Sequence, residues 1–164
     1  MLVPREGAPI LEIPDAESAP KLMHNQCIGV SRGGRSTKIH AVVDGLGNPL
    51  YVFLTSGEIY DSTAAEAVLE KIDITGSTIL ADKAYGTKKL REYISAHGAS
   101  YCIPPKSNAR EPWSVDWCLY KERALVENFF LKIKEFRRVA MRFDKLALAY
   151  LAFVHLACIR VLLK

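Results

Sequence analysis

The chain has 164 residues, 49% of them hydrophobic and 24% charged, and a formal net charge of +4. These are ordinary values for one globular domain with a sizeable core. Its four cysteines, Cys27, Cys102, Cys118 and Cys158, lie far apart with no C-x-x-C pair, which argues against a disulfide framework or a zinc site.

Met1 to Gln26 has prolines at positions 4, 9, 14 and 20, so no long helix can pass through it. Ile10 to Ile13 alternates enough for a short strand, followed by Asp15. No basic region followed by an apolar core opens the chain, so a signal peptide is not expected. Free thiols then fit a cytoplasmic setting.

Ile28 to Lys38, IGVSRGGRSTK, is basic and contains glycine, without the spacing of a phosphate loop. It reads either as a turn entering a strand or as a place where Arg32, Arg35 and Lys38 touch a nucleic-acid backbone. Thr37 to Asp44 and Leu50 to Thr55 are β-rich runs flanking Gly45 to Pro49, which predicts an antiparallel hairpin with Asp44 at its turn. Ala64 to Ile72 predicts a helix, with Asp61 or Ser62 as its N-cap.

Ser77 to Ala81 is a short apolar run that predicts a buried strand ending at Asp82. An acid at the C-terminal end of a central strand is where open α/β sheets place ligands, and a helix cap is the plainer reading. A helix over Lys88 to His97 and a strand over Ser100 to Ile103 follow. Pro104 to Arg110 is a basic loop, either DNA-facing or a connector.

Leu119 to Lys145 has no glycine or proline, and Val126, Phe129, Ile133, Phe136 and Ala140 recur at helical spacing. One continuous helix is predicted. At about 100° per residue, Tyr120, Arg123, Lys134 and Arg138 fall within about 40° of Glu127, opposite the apolar stripe. Eight Lys or Arg stand against four Asp or Glu in this stretch, a local excess equal to the whole chain's net charge. The face reads as a solvated stripe with i,i+4 pairs such as Arg123 and Glu127. It also suits a place where phosphates and a divalent metal meet. Leu146 to Leu163 is apolar nearly all round but carries His155 and Arg160, so it predicts a buried closing helix and not a membrane span.

The spacing Tyr120, Arg123, Glu127, Lys134 resembles the Y-R-E-K signature of DDE-type bacterial insertion-sequence transposases. LVENFF, KEFRRVAMRFDK, ILADKAYG and SRGGRSTKIHAVVDGLGNPL are similar to the family's flanking words. The resemblance runs from about Ile28 to the C-terminus. It implies an α/β, ribonuclease H-like mixed sheet flanked by helices over residues 28–164, after an irregular segment over 1–27. It implies Asp82 and Glu127 as catalytic, metal-binding carboxylates, with Mg²⁺ or Mn²⁺ as cofactor and Tyr85 in the setting of Asp82. Tyr120, Arg123, Lys134, Arg137 and Arg138 would face DNA, joined by Arg32, Arg35 and Lys38. Gly86 stands where the family often has an acid.

The family's first acid lies in a short D-S/G-T-like motif well upstream of SRGG. No such motif is found, and Asp15 is the one substitute. The expectation is therefore the C-terminal portion of a transposase without a complete first strand, either a remnant or a second reading frame. Its partners would be insertion-sequence ends and target DNA, with a second copy or a separate N-terminal portion completing it in a bacterial cytoplasm. The competing readings are a catalytically silent DNA-binding remnant and a small domain whose basic helix meets another protein.

Overall fold

The computed structural model describes residues 2–3, 26–31 and 33–163. The strand expected over Ile10 to Ile13, Asp15 and Arg32 lie outside the described residues. In chain order the strands are β1 (Leu2–Val3), β2 (Gly29–Ser31), β3 (Gly34–Val43), β4 (Pro49–Ser56), β5 (Thr78–Leu80) and β6 (Ser100–Cys102). The helices are α1 (Asp61–Leu69), α2 (Lys88–Ala96), α3 (Trp117–Tyr120), α4 (Ala124–Lys134), α5 (Arg137–Ala140) and α6 (Ala147–Leu162).

The strands form two three-stranded sheets. One is antiparallel in the order β2-β3-β4, and the other has the order β1-β5-β6, with β5 antiparallel to β1 and parallel to β6. The β3–β4 hairpin is where the sequence predicts it, pairing Thr37 with Ser56 and Val42 with Tyr51. Its turn is built by Asp44, whose Oδ1 accepts from the backbone N–H groups of Leu46 and Asn48. Gly47 takes φ +84° there, a conformation that a side chain would disfavour. Within the basic stretch β2 pairs antiparallel with β3, Gly29 opposite Ser36 and Ser31 opposite Gly34, so the turn entering a strand belongs to a second hairpin.

Successive side chains of a strand point to opposite faces. On β3, Val42 belongs to one apolar cluster and Val43 to the other; on β5, Ile79 and Leu80 divide the same way. The two sheets are thus sandwiched between the same two layers. Residues of α1 and α2 cover one face around Ala64, Val68, Leu90 and Ile94. Residues of α4 and α6 cover the other around Phe129, Ile133, Tyr150 and Val154. Among the described residues no ladder joins β3 to β5.

Two helical expectations need correction. The stretch from Leu119 to Lys145 is not one helix. A 3₁₀ turn over Lys121–Arg123 joins α3 to α4, and the chain leaves helical geometry at Phe136, with φ −80° and ψ 113°. The break turns α5 so that Val139 is buried in place of Ala140. It also leaves Phe136 40% exposed. The Tyr150 hydroxyl donates to Val139 O at 2.7 Å in this buried contact, which fixes α5 against α6. The closing helix is not buried all round either. Ala147, Tyr150, Val154, Ala157 and Cys158 face the core, while Leu148, Leu156 and Ile159, and Leu163 just past the helix, are exposed. No helix among the described residues is long and apolar enough to cross a membrane.

The start of α1 also differs from expectation. Tyr60 occupies the cap position and makes no side-chain cap bond. Asp61 is the helix's first residue and instead accepts a 2.8 Å hydrogen bond from Lys38 Nζ, reaching across to β3.

Candidate functional site

Asp82 follows β5 and opens a 3₁₀ turn, its Oδ1 accepting from Ala84 N at 2.8 Å. It thus caps a short turn at a strand's C-terminal end, while the helix that follows, α2, is capped by Thr87, whose side chain accepts from Leu90 N. Glu127 sits in the first turn of α4, where negative charge suits the helix dipole. Although 45 positions separate them in sequence, the two acids line one cavity of about 270 Å³.

Arg123 lines the same cavity and donates from Nη2 to Glu127 Oε1 at 2.6 Å. Its guanidinium lies 5.5 Å from the Tyr120 ring centroid, and that ring meets Trp117 edge-on at 5.7 Å. The Tyr120, Arg123 and Glu127 spacing thus survives the change from α to 3₁₀ geometry, because each still advances about one turn. Trp117 was not singled out from the sequence, and only its position three residues before Tyr120 could have marked it.

Tyr85 and His40 complete the polar part of this cavity, whose remaining walls are apolar. Burial, followed by the negative charges of Asp61 and Asp82, pushes the Tyr85 hydroxyl up to about 12. It therefore stays protonated and can only serve as a neutral hydrogen-bonding group near neutral pH. His40 is buried, stacks on Phe53 and bonds Thr55 Oγ1 through Nε2 at 2.8 Å. Burial holds its pKa down to about 4; Asp61 opposes that shift and Lys38 reinforces it. It is a neutral ring at pH 7.

The other predicted cations are not all gathered here. Lys38 Nζ is engaged by Asp61 and by Ile59 O. Arg35 is exposed on β3 near the hairpin turn. Lys134 lies 5.8 Å from the Phe130 ring, and Arg137 5.7 Å from the Phe143 ring. Beyond the break, Arg138 pairs with Asp144 at 3.4 Å and stands over Phe153. Lys134, Arg137 and Arg138 line neither of the two main cavities.

A divalent cation can be tested against this donor set. Each carboxylate has one oxygen engaged by protein and a second with no hydrogen-bond partner among the described residues. Mg²⁺ is commonly held by one or two carboxylates with waters and substrate phosphates, so two such oxygens fit a substrate-assisted ion. They do not make a cage of protein ligands, and no group of three His, Cys, Asp or Glu among the described residues could hold a metal.

The chain is similar to known proteins. The model of the family described as "Transposase DDE domain" matches residues 16–112, a range that contains Asp82 and stops short of Glu127. A curated protein of Brucella ovis, provisionally named a transposase for insertion sequence element IS6501, is 38% identical over 130 residues. That alignment covers 79% of this chain and 99% of the relative. No solved structure matches.

Proposed function

The chain belongs to the transposase DDE domain family of insertion-sequence transposases, and on that premise we propose that it cleaves and joins phosphodiester bonds at insertion-sequence ends. Asp82 and Glu127 are its catalytic carboxylates, and residues 28–164 are its ribonuclease H-like catalytic portion. The observation that carries this reading is the meeting of these two acids at one cavity beside Arg123.

Asp82 and Glu127 would hold Mg²⁺, or Mn²⁺ in its place, through their second oxygens. An ion held there would supply charge relief at phosphorus and the activation of a water or a 3′-hydroxyl. The chain's own residues do the rest. Arg123 neutralises a backbone phosphate and holds Glu127 in its rotamer. Tyr120, aligned by Trp117 and Arg123, offers a ring face to a nucleotide near the cleaved end. Lys134, Arg137, Arg138, Arg32, Arg35 and Lys38 add contacts to the DNA backbone, so affinity falls with salt.

The isolated chain is incomplete in this proposal. Two carboxylates hold a divalent ion weakly, and the third comes from a second copy or a separate N-terminal portion. A second reading, a catalytically silent DNA-binding remnant, is favoured by one observation: Glu127 is already paired with Arg123 at 2.6 Å. A nicking assay on insertion-sequence end DNA with Mg²⁺ or Mn²⁺ separates the two. Weak nicking lost in Asp82→Asn supports the first, and binding without nicking under every condition supports the second. If Arg123→Ala, Lys134→Ala and Arg138→Ala together leave low-salt DNA affinity unchanged, the basic face meets a protein instead.

A further inference from the structure

A second cavity, of about 500 Å³, is also lined by Asp82. Three loops and one strand wall it: residues 60–62 ahead of and into α1, 82–84 after β5, 106–108 after β6, and Lys38 of β3. Asp82 lines both this cleft and the apolar cavity shared with Glu127, so the two meet at that acid. The loops after β5 and β6 lie at the C-terminal ends of parallel strands, the edge where such sheets place ligands.

The lining has a definite chemistry. Lys38 is neutralised by Asp61. Lys83 and Lys106 are exposed and make no ion pair among the described residues. Tyr60 is 80% exposed at the cleft edge. Its backbone is fixed, because its carbonyl accepts from Thr63 N and Ala64 N at the start of α1. Asn108 adds an amide that can both donate and accept. Two ammonium groups without an ion pair among the described residues, an exposed ring on a fixed backbone and a polar amide are the combination that single-stranded nucleic acid uses. The rings stack on bases and the cations track phosphates. The volume is that of a small-ligand pocket, enough for a nucleotide or so and too small for a duplex.

We infer that this cleft receives an unpaired DNA strand end next to the scissile phosphate, with Tyr60 stacking on a base and Lys83 and Lys106 holding the flanking phosphates. The assignment rests on the transposase reading above and adds to it the form of the substrate, a frayed or overhanging end in place of a blunt duplex.

The test uses the full chain and fluorescein-labelled DNA of two kinds, a blunt duplex and the same duplex with a short single-stranded overhang, read by anisotropy. The intact protein should bind the overhang more tightly than the blunt end. Tyr60→Ala should reduce that preference at least about fivefold, the effect of losing one stacked base. Tyr60→Phe should retain it, because stacking needs only the ring. Lys83→Ala with Lys106→Ala should reduce the slope of log affinity against log salt on the overhang by about 1.4, or about 0.7 per single-strand phosphate. All these side chains are exposed, so circular dichroism should show unchanged folding. Equal binding of the two DNAs by the intact protein, or Tyr60 and double-lysine variants that behave as wild type, would overturn the inference. Arg123→Ala tells the levels apart. If it weakens binding while the cleft variants do not, only the cleft assignment fails. If it too has no effect, the DNA-binding reading fails with it.

Discussion

Arg123 donates to Glu127 at 2.6 Å within one turn of helix, and Asp82 lies close enough for its charge to act on the same guanidinium. Burial disfavours the charged form of Arg123. The hydrogen bond that Arg123 donates to Glu127 and the charges of Tyr120, Glu127 and Asp82 outweigh it and hold the pKa above its ordinary value. The arginine therefore stays charged, bonded to Glu127 and under the influence of Asp82.

Arg123→Ala should weaken DNA binding about tenfold or more at low salt, the scale of one charged hydrogen bond. The log–log salt slope on duplex DNA should fall by about 0.9. Fluorescence anisotropy across a chloride series measures both, and an unaltered slope would remove Arg123 from the DNA contact.

Asp82→Asn and Glu127→Gln should each abolish divalent-cation binding by the chain. Because the donor set is small, intact protein should show only a slight rise in melting temperature in millimolar Mn²⁺. Differential scanning fluorimetry reads the shift. A rise of equal size in both variants would place the ion elsewhere.

Arg142 ties distant parts of the chain together. It donates to Thr37 Oγ1 at 2.6 Å, Cys27 O at 3.4 Å, Asp144 O at 2.9 Å and Lys145 O at 3.0 Å, with its guanidinium 5.3 Å from the Tyr150 ring centroid. Gln26 and Cys27 take positive φ values of 60° and 52° beside it, a conformation that needs outside support. Arg142→Ala should cost about 2–3 kcal/mol in urea unfolding, and Arg142→Lys should recover little, since an ammonium cannot reproduce the fork. A loss under about 0.5 kcal/mol would mean that the tie is slack.

His40 should make stability fall with acid. Its folded pKa lies near 4, below the ordinary 6.5, so the unfolded chain binds the extra proton between those values. The contribution of this site is complete above pH 6.5 and is lost as pH drops towards 4, by at most about 3 kcal/mol. Melting temperatures at pH 7 and pH 4.5 should differ less in His40→Gln than in the intact protein. An equal drop in both would assign the acid sensitivity to other groups.

The parts read correctly from sequence are those governed by neighbours. Asp44, Gly47 and Pro49 specify the β3–β4 turn within a few residues, and the alternation on either side specifies its strands. The place of Asp82 at the end of β5 was legible because STILA ends abruptly at a charge, and the shared face of Tyr120, Arg123 and Glu127 because one-turn spacing tolerates α or 3₁₀ winding. The break at Phe136 had no such mark. No glycine or proline announces it, and the contact that favours it comes from Tyr150 on another helix. Asp61 was misread as a cap for the same reason, since its partner Lys38 is 23 residues away. The cleft holding Tyr60, Lys83 and Lys106 is assembled from three loops that have no common spacing.

The outward row on α6, with Leu148, Leu156 and Ile159, continued by Leu163 at its end, gives the molecule an oily ridge, while its net charge of +4 favours a polyanion. The two respond to ions in opposite senses. Sulfate and phosphate tighten apolar association by exclusion from protein surfaces, while any rise in ionic strength loosens contacts with a polyanion. Sulfate at moderate concentration should therefore turn a nucleic-acid binder into a self-associating one, and chloride at the same ionic strength should release the nucleic acid with much less clumping.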